Sequence, residues 1–262
     1  MTSSTSLVLI ALPVVIFAIM ALAECRWPRR PLLQGRARRW TTHGLLLLAN
    51  RATIWLLARL VAVPAVAIWA QEQGIGLLNS LELPVWAMWL IAFILLDFAM
   101  WLQHLATHRV PILWRMHSVH HADRDLDVST AVRFHPFEIL VSTVWKAVCV
   151  MALGVPALVY LAFEAWLGAN ALFNHSNLNL PRRLDRAIRL FLVTPDMHLV
   201  HHSTQTGEQQ HNYGFALTVW DRLFGTYCAE AASGREGQKI GMAGINDDAP
   251  TRIGWSLKFP LT

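Results

Sequence analysis

Histidines gather in three short segments of this chain at spacings that suit a metal. The segments are His104-Leu-Ala-Thr-His108, His117-Ser-Val-His120-His121 and His198-Leu-Val-His201-His202. Residues three and four positions apart share one face of an α-helix, so each segment aims two or three imidazoles at one point. Imidazole is the commonest metal ligand in proteins. The spacing therefore predicts a metal centre built from these eight side chains.

The number of clustered imidazoles bears on the kind of centre. Eight exceed what one tetrahedral zinc ion can use, and they suit two metal ions with roughly four to six ligands each. The zinc-protease pattern His-Glu-x-x-His is absent, which disfavours a metalloprotease. Spacing alone leaves iron, zinc, copper and manganese open. His43 stands alone in a cationic stretch and is not expected to join the centre.

The elements that hold these histidines are predicted to be membrane helices. Of 262 residues, 55% are hydrophobic and 15% are charged, whereas a soluble domain carries roughly 25% charged residues. A membrane-spanning helix needs about 20 apolar residues. We predict spans over residues 7–23, within 44–70 and at about 85–103, followed by a hairpin of two runs, 137–153 and 156–173, with a turn at Gly-Val-Pro.

The distribution of arginine predicts which side of the membrane the histidines occupy. Six arginines against one glutamate, Glu24, lie in the loop from residue 24 to 40: Arg26, Arg29, Arg30, Arg36, Arg38 and Arg39. By the positive-inside rule this loop is cytoplasmic. The third span then ends on the cytoplasmic side at His104, and the hairpin returns to the same side. Arginines at a membrane edge also explain the net charge of +5 better than nucleic-acid binding does.

Three ionisable residues inside apolar runs invite specific roles. Asp97 lies seven residues before His104 on one helical stripe, so we expect it to accept a hydrogen bond from a ligand imidazole, with an ion pair to an arginine such as Arg59 as the alternative. Lys146 and Glu164 are each nine residues from the centre of the hairpin turn, and we predict an ion pair between them. A second-shell position near the metals is the rival for Glu164.

Two further signals concern helix starts and electron supply. Thr194-Pro195 before His198 predicts the beginning of a helix, with Thr194 as N-cap. The three cysteines are far apart and lack a Cys-x-x-Cys pattern, so we expect reduced thiols. No glycine fingerprint of a dinucleotide-binding unit follows a predicted strand.

Flanking residues make the pattern resemble one family. The three histidine segments resemble the histidine boxes of the fatty acid hydroxylase/sterol desaturase superfamily. The resemblance covers roughly residues 86–226 and extends to four further motifs: Arg133-Phe-His135-Pro-Phe-Glu138, Asn174-His175-Ser-Asn177, Asn212-Tyr-Gly214 and Trp220-Asp-Arg-Leu-Phe-Gly-Thr226.

The resemblance implies an all-α fold, an integral membrane helical bundle with a cytosolic helical cap over a histidine-rich di-metal site. It implies two iron ions, with His175 as a ninth ligand beside the eight box histidines. It gives His135 a supporting or substrate-gating position near the metals, and it leaves His211 outside the ligand set. Glu138 lies at the entrance of the hairpin near the expected site, where we expect it to orient His135 or the Arg133 side chain. We expect membrane helices and the arginine-rich loop in residues 1–83, the catalytic domain in 84–229 and a cytosolic tail in 230–262.

The expected function is O2-dependent hydroxylation or desaturation of a lipid C–H bond by a multi-pass membrane protein with its site on the cytoplasmic side. A separate reductase, ferredoxin or cytochrome would supply electrons, and no nucleic acid is expected as a partner. Two alternatives stay open. One is a metal-dependent membrane hydrolase or isomerase, and the other is a non-catalytic protein that binds metal or haem.

Overall fold

The computed structural model describes residues 3–262, with side chains from residue 11, and every regular element in that range is helical. Only Met1 and Thr2, at the start of the predicted N-terminal domain, lie outside it. Seven helices precede His175: α1 (Ser3–Arg26), α2 (Arg36–Leu57), α3 (Val63–Glu72), α4 (Val85–Arg109), α5 (Pro111–His121), α6 (Pro136–Leu153) and α7 (Ala157–Asn174). Two short 3-10 helices, Leu77–Ser80 and Val128–Val132, lie between them.

Shorter helices make up the remainder of the chain. They are α8 (Arg182–Ile188), α9 (Pro195–His201), α10 (Thr206–Gln209), α11 (Val219–Leu223), α12 (Gly234–Gly237) and α13 (Ile253–Lys258), with 3-10 helices at Ala249–Thr251 and Phe259–Leu261. Isolated β-bridges such as Leu192 with Leu217 tie this part together. The predicted all-α class is confirmed for the described residues.

Two helices of the described chain, α4 and α6, are long and apolar enough to cross a membrane. The second predicted span is wrong as a continuous helix, because α2 ends at Leu57 and α3 begins at Val63. Pro64 lies in the first turn of α3. Proline lacks an amide hydrogen and clashes with the preceding turn, so it starts a helix more readily than it continues one.

Helices α3, α4, α6 and α7 share the main apolar core, which includes Leu96, Val150 and Phe163. Helix α1 packs against α7, and α2 packs against α6. This bundle holds α4 and α7 side by side, so that their C-terminal ends, where His104, His108 and His175 are found, lie at the same end of the molecule.

The predicted hairpin of α6 and α7 is confirmed. Gly154 ends α6 in the left-handed conformation with φ +69°, which glycine adopts at little cost. A side chain at Gly76 would run into the backbone of Gly154, so the loop before α4 packs tightly onto this turn. The predicted ion pair also forms, with Lys146 Nζ 2.8 Å from Glu164 Oε1. Glu164 therefore stabilises the hairpin and is not close to the histidines.

The arginine-rich segment predicted as a loop over residues 24–40 is helical at both ends. Helix α1 extends to Arg26 and α2 begins at Arg36. Arg29 Nε pairs with Asp196 Oδ1 at 2.6 Å, and Arg39 is completely buried between Asp123 and Asp127. Carboxylates that are distant in the chain thus pair with these arginines.

The C-terminal tail packs over the same end of the bundle. Thr42 Oγ1 donates to Thr251 O, and Arg133 Nη2 donates to Ser256 Oγ at 3.2 Å. The last residues lie against α5, where Arg115 donates to Thr262 O. The tail thus covers the segment that connects α5 to α6.

Candidate metal centre

Nine buried imidazoles converge in two groups where α4, α5, α7 and α9 meet. Within each group the facing ring nitrogens all lie within 4.8 Å of one another. The first group comprises His104, His108, His117, His121 and His201, and the second comprises His120, His175, His198 and His202. The structure thus brings together every histidine that the sequence analysis placed at the metals.

Helix α5 contributes to both groups because of its pitch. His117 and His121 are four residues apart, share a face and join the first group beside His104 and His108 of α4. His120 is adjacent to His121 and therefore points about 100° away around the helix, into the second group. The expectation that all imidazoles of one segment meet at one point is wrong for α5.

Helix α9 mirrors that division. His198 and His202 enter the second group, whereas His201 enters the first. The helix begins as predicted, with Thr194 as N-cap accepting a hydrogen bond from the amide of Met197 at 3.3 Å. This start aligns the two-sided histidine segment between the two groups.

Main-chain carbonyl groups determine the tautomers of several imidazoles. Four Nδ1 atoms donate to carbonyl oxygens: His104 to Tyr213 at 2.7 Å, His201 to His211 at 2.8 Å, His175 to Ala171 at 2.7 Å and His120 to Arg133 at 3.2 Å. A carbonyl oxygen only accepts, so Nδ1 carries the proton in each neutral ring. Nε2 of these rings then presents a lone pair to the centre of its group.

The Nε2 atoms are spaced as neighbouring ligands of a metal ion would be. In the first group the Nε2 atoms of His104 and His201 are 3.0 Å apart, and those of His104 and His117 are 3.2 Å apart. In the second group the corresponding distance from His175 to His198 is 3.0 Å. With bonds of about 2.1 Å, ligands at right angles lie about 3.0 Å apart and tetrahedral ligands about 3.4 Å apart.

Without a cation the facing lone pairs would repel one another. The donor set, its spacing and its tautomers therefore fit metal ions with more than four ligands.

Burial keeps the imidazoles neutral at physiological pH. Burial lowers the pKa of His175 to about 4 and that of His201 to about 3, although a carbonyl partner opposes the shift in both. Burial followed by repulsion from neighbouring imidazoles also holds the pKa values of His120, His121 and His202 well below the ordinary range. Neutral imidazole is the form that binds a metal.

Glu138 supports a ring of the first group directly. Its Oε1 atom accepts a hydrogen bond from His117 Nδ1 at 2.6 Å, and the carboxylate is almost fully buried. The sequence analysis placed Glu138 near the centre but expected it to orient His135 or Arg133. Its place in the first turn of α6, which follows Pro136, turns it toward α5 instead.

Asp97 does not make its expected contact, and His135 belongs to neither group of imidazoles. Asp97 accepts a hydrogen bond from Trp220 Nε1 at 2.8 Å and none from an imidazole, so both its predicted histidine contact and the alternative with Arg59 are wrong. It lies nearly two helical turns below His104, too far to reach that ring. His135 caps α6 through its Nδ1 atom and faces Leu257 O through Nε2, outside both groups.

A buried carboxylate, Asp221, positions the carbonyl that orients His104. It is fully buried in α11 and organises the strand-like segment that carries Tyr213. Its oxygens accept from Tyr213 N at 2.9 Å, Gly214 N at 2.8 Å, Trp101 Nε1 at 3.0 Å and Thr226 Oγ1 at 2.7 Å. Sequence reasoning had singled out this block by resemblance alone and gave it no role.

Asn212 completes the same support. It is the one non-glycine residue in the described chain with positive φ, +59°, a conformation that asparagine tolerates better than most residues. Its Nδ2 atom donates to Met197 O and to Cys228 O. The turn places the carbonyls of His211 and Tyr213 beside their two histidine partners. The His211 side chain lies outside both groups, as predicted.

Aromatic side chains enclose the histidines. Phe134 stacks on His120 with a centroid distance of 4.5 Å, Phe215 lies 4.7 Å from His104, and Trp114 lies 5.0 Å from His108. These rings limit access of water to the centre, which strengthens electrostatic interactions inside it.

Comparison with known proteins finds one matching family and several relatives that are named as monooxygenases or hydroxylases. The fatty acid hydroxylase family matches residues 89–226. Human alkylglycerol monooxygenase is 32% identical over 149 residues, which are 54% of this chain and 31% of the relative. The ornithine lipid hydroxylase OlsE of Rhizobium tropici is 30% identical over 52% of this chain and 40% of its own length. The fatty acid hydroxylase vlmA of Lecanicillium sp. is 31% identical over 72% of this chain and 56% of its own length.

No solved structure matches the chain. The chain spans about a third of the length of the first two relatives. Because the family match covers more than half of the chain, including every clustered histidine, the chain belongs to the fatty acid hydroxylase family.

Proposed function

We propose that the protein is a membrane oxidoreductase that hydroxylates a C–H bond of a lipid with O2. The observation that carries the proposal is the pair of buried groups in which nine imidazoles converge. The relatives support the substrate class, since their names describe the hydroxylation of alkylglycerols, ornithine lipids and fatty acids. Desaturation of the same kind of substrate is the closest variant of this reaction.

Two iron ions are the cofactor that this proposal requires. The five-histidine group would hold one ion and the four-histidine group the other. Bound iron would supply the reduction of O2 and the attack on the C–H bond. The Nε2 spacing of 3.0–3.2 Å supports a metal with more ligands than tetrahedral zinc accepts.

The protein's own residues position the ligands and exclude water. Glu138 holds the proton on His117 Nδ1 and so keeps Nε2 of that ring free to bind metal. The carbonyls of Tyr213 and His211 do the same for His104 and His201. The aromatic enclosure limits side reactions with water.

The balanced reaction requires an external reductant. Hydroxylation follows RH + O2 + 2 e− + 2 H+ → ROH + H2O, and desaturation gives an alkene and two H2O from the same inputs. The chain shows no pattern for binding a nicotinamide or flavin. A separate reductase, ferredoxin or cytochrome is therefore the proposed electron donor.

The proposal includes a location for each part of the chain. Helices α4 and α6 cross or enter the bilayer together with α1 and α7, and the cap formed by α8–α13 lies at the cytoplasmic end of these helices. Residues 1–83 form the N-terminal membrane part with its arginine-rich connection, 84–229 the catalytic domain and 230–262 the cytosolic tail.

Isotope labelling tests the reaction class. The assay uses iron-loaded protein in vesicles made from a lipid extract, supplied with a chemical reductant and 18O2. We expect a fraction of these lipids to be converted to alcohols that carry one 18O atom. Product that carries oxygen from H2(18)O instead would identify a hydrolase and reject the proposal. A haem absorption band with no iron bound to the histidines would favour the non-catalytic haem protein.

Glu138→Gln tests how the ligand sphere is positioned. The amide can still accept from His117 but lacks the negative charge that makes the ring a stronger ligand. We expect a loss of about 10-fold to 100-fold in metal affinity or turnover, the range for outer-sphere partners of metal-bound histidine. Iron content per chain, measured during titration with a chelator, gives the affinity.

Glu236→Gln, at an exposed glutamate of α12, is the matched control and should bind iron like the parent protein. Equal chelator resistance of the Glu138→Gln variant and the control would contradict the positioning role.

A further inference from the structure

The cap carries an exposed apolar edge beside α4. The edge consists of Leu190, Phe191, Val219, Leu223 and Phe224, whose exposed fractions are 60, 71, 46, 67 and 50%. The part formed by residues 190–191 is joined to the part formed by residues 219–224, because the amide of Thr218 donates to Phe191 O at 3.0 Å. A contiguous set of large apolar side chains at the surface marks an interaction site.

Contacts with α4 place this edge beside the middle of that helix. Trp220 Nε1 donates to Asp97 Oδ2 at 2.8 Å, and the ring of Phe224 lies 5.8 Å from Phe98 and 4.8 Å from Trp101. Asp97 is twelve residues before the end of α4 at Arg109, a distance of about 18 Å along the helix. Helix α11 therefore reaches about halfway along a helix long enough to cross a membrane.

The exposed face of α4 continues into the edge. Leu90 and Ile94 are 54 and 39% exposed and lie on the same helical stripe as Phe98, the position that Trp220 and Phe224 cover. An acyl chain that lies along α4 on Leu90 and Ile94 would also contact Phe224 and Leu223. The apolar surface is continuous from the candidate span to the cap.

The charges next to the edge are arranged as they are at a membrane boundary. Arg222 is the basic residue of α11, and its guanidinium turns back over the ring of Tyr227 at 4.1 Å and donates to Arg189 O. A long cationic side chain at a bilayer turns toward the headgroups in this way. Exposed arginines Arg182, Arg183 and Arg186 of α8 precede the edge in the chain and carry the charge opposite to that of lipid phosphates.

Amides in the last turn of α11 and just beyond it are paired within the protein, which lowers the cost of placing them in an apolar environment. The amide of Arg222 donates to Thr218 O, that of Phe224 to Trp220 O and that of Thr226 to Asp221 O. The acidic residue of α11, Asp221, is fully buried and faces inward. The remaining charge of α11 is that of Arg222, whose guanidinium turns back over Tyr227.

We propose that α11 and the apolar edge are immersed in the acyl-chain layer of the bilayer, with the α8 arginines at the level of anionic headgroups. In this arrangement Asp97 gives the Trp220 indole a hydrogen-bond partner inside the apolar layer and so anchors α11 to α4. The inference rests on the proposed membrane insertion of α4 and adds a re-entrant cap element to it.

Site-directed spin labelling tests the immersion. Single cysteines at Leu223, Leu90 and Glu236 are introduced into a chain in which Cys25, Cys149 and Cys228 are replaced, and the labelled full-length protein is placed in vesicles of phosphatidylcholine and phosphatidylglycerol. Apolar O2 and a water-soluble nickel chelate then compete to relax each nitroxide. The ratio of O2 to nickel accessibility at Leu223→Cys should be close to that at Leu90→Cys and several-fold above that at Glu236→Cys.

The three labels separate the possible failures. Aqueous behaviour at Leu223→Cys with lipid exposure at Leu90→Cys would overturn immersion of the edge and leave the membrane position of α4 intact. Aqueous behaviour at Leu90→Cys would overturn the proposed membrane insertion itself. Protection of Leu223→Cys from both relaxing agents would show that protein covers the edge and would overturn the bilayer as its partner.

Discussion

Replacing a single clustered histidine with alanine is expected to abolish most of the hydroxylation activity. His120→Ala removes one of the four proposed ligands of the second group, and His104→Ala removes one of the five proposed ligands of the first. Outer-sphere partners of such rings are worth about 10-fold to 100-fold in activity, so direct loss of a ligand should exceed about 100-fold. Product formation and iron per chain, measured on the same preparations, check the prediction.

The pattern of iron loss distinguishes two separate metal sites from one. Each variant should lose chiefly the ion of its own group, so that iron falls from two per chain toward one. His211→Gln is the matched control, because it changes a histidine side chain outside both groups and leaves the carbonyl that serves His201 in place. The control should keep both ions. Full iron content in His120→Ala and His104→Ala would refute the assignment of these rings as ligands.

Arg39→Met should cause the largest loss of stability among single substitutions in the arginine-rich region. The buried guanidinium donates to Asp123 through Nε at 2.9 Å and Nη2 at 2.8 Å, and Nη1 pairs with Asp127. Burial by itself would raise the pKa of Asp123, but Arg39 and His43 outweigh that effect and hold this pKa well below its usual range. Without Arg39, two buried carboxylates lose their counter-charge.

Breaking such a pair from one side costs about 3–5 kcal/mol. For a chain of this length that corresponds to a fall of roughly 10 °C in the thermal midpoint, which thermal unfolding of the protein in detergent measures. Arg39→Lys should fall between the parent and Arg39→Met, since an ammonium group keeps the charge but cannot reproduce the fork-shaped contact.

The neighbouring residue provides the matched control for this prediction. The side chain of Arg38 is 67% exposed, and its nearest carboxylate, Asp248, is 3.7 Å away. Arg38→Met should therefore change stability by less than about 1 kcal/mol. Equal midpoints for Arg38→Met and Arg39→Met would contradict the role assigned to the buried ion pairs.

Local spacing was sufficient to predict eight of the nine histidines of the centre, and only the family resemblance added His175. Residues four apart on a helix share a face whatever surrounds them, which is why His104 with His108 and His117 with His121 could be paired from sequence. The hairpin at Gly154 and the ion pair of Lys146 with Glu164 could be predicted in a similar way. In two antiparallel helices joined by a turn, residues equally far from the turn lie at the same level.

The division of nine rings between two groups was decided by tertiary structure. Spacing predicts that His120 and His121 diverge on α5. It does not predict that His175 of α7 and two rings of α9 lie on the side to which His120 points. The same limit applies to Arg39, Asp97 and Glu138. Their partners are 21 to 123 residues away in the chain, and only the packing of whole helices determines which distant donors and acceptors meet.

The sequence by itself therefore determined which side chains can bind metal and which segments can enter a membrane, because residue chemistry and helical pitch are local properties. The folded bundle decided how those side chains are shared, which carbonyls orient them and which charges are buried. Those outcomes depend on long-range contacts, because a buried polar group usually needs a hydrogen-bond partner and the fold determines which partner is near.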